Sequence, residues 1–224
     1  DVTNATIFPH NIGLGATRDS ALVRRIGQAV AEEMWAAHID LNFSPAISVP
    51  RDERWGRTYE GFGEIPELVA SLGAAYVRGL QGDNFDAEWR VPATVKHFLG
   101  DGATDKGYDR GNATISEEEL NAIHLPPYIA AIEQGVQSVM ASFNQVNGVH
   151  QHVDSLRLTV LLKKELGFDG YVIADWEGIE NSKRPGEAGN YSGSHTGVSS
   201  TEAVRNAINA GIDMAMVPQS ASTF

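Results

Sequence analysis

The fold of this chain is indicated most directly by residues 170–176, which read GYVIADW. An apolar run between Gly170 and Asp175 predicts a strand buried on both faces, as strands of parallel sheets are. The strand ends in a carboxylate beside the indole of Trp176. Ligand sites of α/β folds lie at the carboxyl ends of their parallel strands. Asp175 is therefore a candidate nucleophile, general base or metal ligand, and the alternative role is a helix N-cap.

Similar apolar runs recur along the chain, and amphipathic stretches separate them. They predict four further strands, at residues 39–43, 91–98, 136–143 and 212–217. Strands that alternate with helices in this way form a parallel sheet joined by crossover helices. A long loop between strand and helix is expected at residues 189–200.

The amphipathic stretches predict five helices, and capping signals mark their ends. The expected starts are Asp19 or Ser20, Pro66, Ser116, Asp154 or Ser155, and Thr201. Pro126 and Pro127 should kink or break the third helix, because proline removes a backbone hydrogen bond. Gly167 and Gly211 should end the last two helices.

Polar residues at the strand ends distinguish between two parallel architectures. Such residues follow four strands: Asn42, Lys96 with His97, Asn144, and Asp175 with Trp176. A (β/α)8 barrel gathers many strand ends into one pocket, whereas an open doubly wound sheet uses one switch point. We therefore predict that residues 1–224 are part of a single catalytic domain with a (β/α)8 TIM-type barrel. Five strands are fewer than eight, so the barrel should be incomplete, without its first strand region and its end.

Composition excludes several classes of protein. The 224 residues carry a formal charge of −12, with 42% hydrophobic and 21% charged residues, which is typical of a folded globular domain. The chain has no basic tract and no long apolar run, so nucleic-acid binding and a membrane span are not expected. With no cysteine, disulfides, thiolate catalysis and zinc–thiolate sites are excluded.

Lys96 and His97 end the strand at 91–98 and precede Gly100. Adjacent strand residues point to opposite faces, so both can line a pocket only if the strand bulges or terminates there. The pair would then offer donors to a hydroxylated ligand. The alternative is a buried ion pair between Lys96 and an aspartate.

The segment 51–60 reads RDERWGRTYE and follows the first predicted strand. Its three arginines and three acids can form an internal salt-bridge network, which is the expected role of most of them. One guanidinium turned into the pocket would suffice to clamp a substrate.

His150 and His152 provide a candidate metal site. They follow a turn at Asn147 and Gly148, and no third ligand is evident in the sequence. The two histidines are therefore expected to be structural, and a metal-dependent hydrolase is the alternative hypothesis.

Five segments together resemble the catalytic barrel domain of glycoside hydrolase family three, the β-glucosidases and exo-β-glucanases. They are residues 5–15, 51–60, 96–98, 139–148 and 172–178. They occur in the family's order and cover nearly the whole chain. The resemblance implies an enzyme that releases glucose from the non-reducing end of β-glucosides or β-glucans by a retaining mechanism.

The resemblance also implies roles for individual residues. Asp175 matches the nucleophile, and Trp176 matches an aromatic residue that stacks on the sugar. Lys96, His97 and Arg57 match residues that hold hydroxyls of the glucose being cleaved. Phe143 stands where the family usually has tyrosine near the nucleophile. No cofactor and no metal are implied.

The general acid/base of the family is typically a glutamate in a second α/β domain, which is expected in the full-length protein and absent here. A secreted or periplasmic location is expected. Two alternatives stay open: a β-N-acetylhexosaminidase of the same family, and a sugar-binding barrel without catalysis. The first is disfavoured because the loop at residues 100–114 contains no histidine.

Overall fold

A computed structural model describes residues 3–83, 85, 88–180, 182 and 201–217. Its central sheet is parallel, with the strand order β1-β3-β6. These strands span Thr94–Phe98, Ser138–Ala141 and Tyr171–Ile173. All three were predicted, and each is shorter than its apolar run.

Two extended segments continue this sheet at its edges. Ala46 forms a parallel bridge with Lys96, and Met214 forms one with Ile173. The five segments therefore neighbour one another in chain order, as they would in an arc of a barrel. The described residues form a parallel α/β arrangement and do not include a closed barrel.

The predicted strand at residues 39–43 is wrong. The backbone that pairs with β1 lies further on, where Thr94 donates to Ser44 and Ile47 donates to Lys96. Pro45 has no N–H to donate, which prevents a continuous ladder in this segment. The apolar pattern therefore located the edge of the sheet a few residues too early.

The predicted strand at residues 212–217 forms only one bridge. Asp213 donates its N–H to the Val172 carbonyl, and its carboxylate accepts the Val172 N–H at 2.8 Å. A side chain thus takes the place of a backbone acceptor, and no regular ladder forms.

Helices connect the parallel segments. The α-helices α1 to α6 span Asn11–Thr17, Ser20–Ala36, Pro66–Gln81, Glu117–Glu119, Pro126–Glu133 and Thr201–Ala210. Helix α1 was not predicted. The Asp19 carboxylate caps α2 by accepting the Leu22 N–H at 2.9 Å, and Ser116 caps α4 by accepting the Glu119 N–H at 3.1 Å. The expected capping residues are confirmed at both positions.

Two helical segments have π geometry, Leu120–His124 and Leu156–Glu165. The first lies directly before Pro126, where α5 begins. The interruption expected at the two prolines is thus confirmed as a π turn followed by a new helix. The second is the helix predicted before Gly167.

A second, small sheet has the order β2-β4-β5. Its strands are Asn112–Ala113, Gln145–Val146 and Val149–His150. The predicted turn at Asn147 and Gly148 joins β4 to β5, and both residues have positive φ, as a tight hairpin turn requires. The loop expected at residues 189–200 lies outside the described residues.

Candidate active site

Asp175 lies two residues beyond the end of β6, and its side chain is 14% exposed. One carboxylate oxygen, Oδ1, accepts the Trp176 N–H at 2.6 Å. Residues 176–180 form turns rather than a helix, so the alternative role as a helix N-cap is wrong. The other oxygen, Oδ2, faces His97 near the end of β1.

Lys96 and His97 both reach this region because the pairing of β1 with β3 is irregular between Val95 and Phe98. The bulge that the sequence required is therefore present. The Lys96–His97 peptide bond is cis.

The Lys96 side chain is half-buried beside Glu60, Arg57 and Asp175. Burial lowers the pKa of its ammonium group, while the Glu60 carboxylate acts in the opposite direction. The predicted ion pair between Lys96 and an aspartate is not found among the described residues. Lys96 is a cation with hydrogen-bonding capacity to offer a ligand.

His97 is buried and contacts three charged groups. Its Nδ1 lies 2.7 Å from Asp101 Oδ2, and its Nε2 lies 3.1 Å from Arg57 Nη2 and 3.5 Å from Asp175 Oδ2. A guanidinium can only donate, so Nε2 accepts from Arg57 and Nδ1 donates to Asp101. In this arrangement the Nδ1 proton of His97 points to Asp101, and its Nε2 lone pair points to Arg57.

Arg57 is the one guanidinium of the segment 51–60 that joins this cluster among the described residues. It is held by Glu60 through two hydrogen bonds, of 2.8 and 2.9 Å. Burial acts against the charged form, yet the bonds to Glu60 raise the pKa of Arg57 above its ordinary value. The Glu60 pKa is lowered in turn by Arg57, against the effect of burial. This bidentate pair presents a fixed positive charge to the site.

The other two arginines of this segment contact groups outside the cluster, and one of them forms an ion pair within the segment. Arg54 pairs with Asp52, and Arg51 donates to the Glu64 carbonyl at 3.1 Å. These contacts hold the loop that carries Arg57.

Two aromatic residues, Trp176 and Phe143, were predicted to lie near Asp175. Trp176 is 47% exposed, whereas Phe143 is buried. The guanidinium of Arg110 lies over the Phe143 ring, 4.2 Å from its centroid, which is a cation–π geometry. Trp176 is therefore available to meet a ligand, while Phe143 packs against Arg110 and His152.

Of the two asparagines predicted at strand ends, only Asn144 lies just beyond a strand. Asn144 is buried just beyond β3. Asn42 precedes the segment that pairs with β1, and its amide contacts the sulfur of Met34 at 2.8 Å. Its expected place at the active end of a strand is wrong, because the strand itself was predicted too early.

Four further residues lie in this region that the sequence did not assign to it: Ser48, Glu60, Asp101 and His152. Asp101 follows His97 by four residues, and Glu60 follows Arg57 by three. These spacings can be read from the sequence. They predict side-chain contacts only once the short helical turns at Thr58–Glu60 and Asp101–Ala103 are known. Ser48 and His152 come from distant segments; Ser48 had no local signal, and His152 was considered only as a candidate metal ligand.

His150 and His152 are both buried, and burial lowers their pKa values, that of His150 to about 4. Among the described residues, no group of three or more His, Cys, Asp or Glu side chains is arranged to hold a metal ion. Both histidines are therefore read as structural or positioning residues. None of the helices in the described residues has the length and apolar composition that a membrane span requires.

A cavity of about 380 Å³ lies elsewhere, between α1 and the start of α3. Its apolar lining includes Ile12, Phe62 and Leu68, and it contains none of the site residues described above. Charged groups converge instead on the cluster around Asp175.

Comparisons with known proteins agree with the resemblance seen in the sequence. The family model "Glycosyl hydrolase family 3 N terminal domain" matches residues 1–224. A lysosomal beta glucosidase of Dictyostelium discoideum is 37% identical over 97% of this chain and 26% of its own length. A periplasmic beta-glucosidase of Salmonella typhimurium is 32% identical over 98% of this chain and 28% of its own length.

A solved structure is similar as well. It is the Q683A mutant of an exo-1,3/1,4-beta-glucanase from a Pseudoalteromonas species, with a TM-score of 0.89 and 47% identity. The match covers 98% of this chain and 34% of that chain. The chain thus spans between about a quarter and a third of the length of these three proteins.

Proposed function

Since this chain belongs to glycosyl hydrolase family 3, whose N-terminal domain it matches over residues 1–224, we propose that it carries the nucleophile of a β-glucosidase or exo-1,3/1,4-β-glucanase. The enzyme releases glucose from the non-reducing end of β-linked glucosides or gluco-oligosaccharides. The domain is proposed to be a (β/α)8 barrel, of which the five parallel segments form an arc. A secreted or periplasmic location is part of the same proposal, and the periplasmic relative supports it.

One observation carries this proposal: Asp175 lies beyond a parallel strand among cationic and hydrogen-bonding groups. His97 Nε2 lies 3.5 Å from its Oδ2. Arg57 and Lys96 are close enough to interact with the charge of Asp175; burial lowers the pKa of Lys96, whereas the bonds to Glu60 raise that of Arg57 against the effect of burial. The two cations place positive charge beside the carboxylate that is proposed to attack the sugar.

The reaction is a double displacement at the anomeric carbon. A carboxylate oxygen of Asp175 attacks this carbon, and the bond to the leaving oxygen breaks as that oxygen takes a proton from a general acid. Water then hydrolyses the glycosyl ester, giving up its proton to the same group, now a base. Glucose is released with its β configuration retained, and Asp175 is restored.

Each of the neighbouring residues has a place in this scheme. Lys96 and Arg57 bind hydroxyl oxygens of the glucose ring as charged donors, and His97 orients Arg57 by accepting its Nη2 hydrogen bond through Nε2. Trp176 offers an exposed indole face to the apolar side of a sugar. Phe143 closes the wall of the pocket beside the nucleophile.

The general acid is proposed to be a glutamate on a second α/β domain of the full-length protein. A retaining enzyme requires a second carboxyl group about 5 to 5.5 Å from the nucleophile. Asp101 is not that group, because it is buried and bonded to His97. The length of the relatives supports a further domain.

Covalent labelling tests the proposal. The full-length protein is incubated with a 2-deoxy-2-fluoro-β-glucoside, which slows hydrolysis of the glycosyl ester. We expect a mass gain of one fluoroglucosyl group, and peptide mapping should locate it on Asp175. The expected product of an ordinary β-glucoside, followed by NMR, is the β anomer.

The matched control is Glu177→Gln, which removes the carboxylate nearest in sequence. This variant should still be labelled, whereas Asp175→Asn should not. Labelling of Glu177 in the unmodified protein, or an initial α-anomeric product, would contradict the proposal.

A further inference from the structure

His152 lies beneath the turn that carries Asp175. It is fully buried in a short helical turn, Gln151–Val153, that follows β5. Its Nε2 accepts the backbone N–H of Asp175 at 2.9 Å. The regular ladder of β6 with β3 ends at Ile173. His152 therefore supplies an acceptor where the strand no longer does.

This hydrogen bond requires a neutral imidazole. A backbone N–H can only donate, so Nε2 must be unprotonated. Burial lowers the pKa of His152 well below its usual value, and the neighbouring His150 acts in the same direction. Burial thus favours the neutral ring, whose Nε2 can accept.

Packing leaves the ring little room to move. A Cβ added to Gly178 would lie 2.2 Å from His152 Nε2, so only glycine allows the turn to approach the ring this closely. The rings of Phe143 and His150 lie 5.7 and 5.3 Å from that of His152, between centroids. The imidazole is confined between these two rings and the turn after Asp175.

We propose that His152 is a positioning residue for Asp175, and that its Nε2 fixes the backbone from which the carboxylate is aimed. The inference rests on the proposed role of Asp175 as nucleophile. A loss of this acceptor leaves a buried N–H unsatisfied and frees the turn to shift. A displacement of a fraction of an ångström at the attacking oxygen is enough to slow the first chemical step.

The test uses His152→Leu and His152→Gln in the full-length protein. The rate of labelling by the fluoroglucoside is measured along with kcat and KM on an aryl β-glucoside. We expect His152→Leu to label about 10- to 100-fold more slowly, with kcat reduced and KM little changed. His152→Gln should recover most of the rate, because its Oε1 can reach the position of Nε2 and accept the same N–H.

The matched control is His124→Leu, which removes another buried neutral histidine. His124 Nε2 has no hydrogen-bond partner among the described residues. This variant should alter the unfolding temperature and leave the labelling rate unchanged. Labelling of His152→Leu at the rate of the unmodified protein, with only a lower unfolding temperature, would show that His152 is merely structural.

Gly178→Ala provides a second route if His152→Leu does not fold. Its methyl group displaces the ring, so it should reproduce the slow labelling, and a normal rate would overturn the inference. Failure of the unmodified protein to be labelled overturns the proposed function and this inference together. Labelling of Asp175 at equal rates in all His152 and Gly178 variants overturns only the inference.

Discussion

His97 lies between two carboxylates and a guanidinium, and Asp101 decides which of its nitrogens carries the proton. Asp101 is buried, and its Oδ2 lies 2.7 Å from Nδ1 of His97 and 3.4 Å from the Ser48 hydroxyl. Burial opposes its ionised form, but the interaction with His97 lowers the Asp101 pKa below its usual value. An ionised Asp101 can only accept, so it holds the proton on Nδ1 and leaves Nε2 free to accept.

Asp101→Asn should therefore lower kcat/KM by about 10- to 100-fold with little loss of folded structure. The amide can donate to Nδ1, which moves the imidazole proton to Nε2, where it opposes the donor of Arg57. Steady-state kinetics on an aryl β-glucoside and circular dichroism measure the two effects.

The control is Asp83→Asn, a surface carboxylate paired with Arg24 and Arg78. It should leave kcat/KM unchanged, since exposed pairs contribute little. Unchanged activity in Asp101→Asn would show that His97 keeps its orientation without a charged partner.

Helices α2 and α3 form a close pair through two glycines. A Cβ on Gly79 would lie 2.3 Å from the Arg24 carbonyl oxygen, and one on Gly27 would lie 2.7 Å from the Tyr76 carbonyl oxygen. Both obstacles are backbone atoms, which cannot turn away as a side chain can. The close approach buries apolar residues of both helices, including Val23 and Leu80.

Gly79→Ala should destabilise the protein by about 1 to 3 kcal/mol, because the methyl group forces the two helices apart. Helix propensity alone predicts the opposite sign, a gain of about 1 kcal/mol. The free energy of unfolding, measured in urea, decides between them.

Ser71→Ala provides the matched control, since Ser71 is exposed on the same helix. It should be neutral or slightly stabilising. A more stable Gly79→Ala variant would show that the helices separate at no cost.

At the scale of the whole molecule, three buried histidines make the fold sensitive to acid. Burial lowers the pKa of His124 and of His150 to about 4, and that of His152 well below its usual value. Below pH about 6.5 the unfolded chain binds protons that the folded chain excludes. The free energy of unfolding is therefore highest above this pH and decreases as the pH falls toward about 4.

Each of these histidines should lower the free energy of unfolding by about 1.4 kcal/mol for every pH unit below about 6.5. Urea unfolding at about pH 7.5, 6.5, 5.5 and 4.5 measures this slope. His124→Leu should reduce the slope by the contribution of one histidine. An identical slope in both proteins would mean that His124 is protonated in the folded state.

The order of the parallel segments and most helices could be predicted from sequence, because both follow from local patterns. Apolar runs produced β1, β3 and β6, and capping residues such as Asp19 and Ser116 marked helix starts. The strand predicted at residues 39–43 was wrong because apolar character does not indicate where a partner strand lies. Pro45 and the irregular β1 set that register instead.

The sequence by itself determined which strand ends carry polar side chains, and it drew attention to Asp175, Trp176, Lys96, His97, Arg57 and Phe143. Only the tertiary structure decided how they meet and which residues support them. Arg57 contacts His97 across 40 residues of chain, and His152 contacts Asp175 across 23. Such contacts depend on strand register, a bulge and short turns that bring distant segments together. Local periodicity cannot predict that geometry, because a hydrogen bond between distant segments produces no sequence pattern in either segment alone.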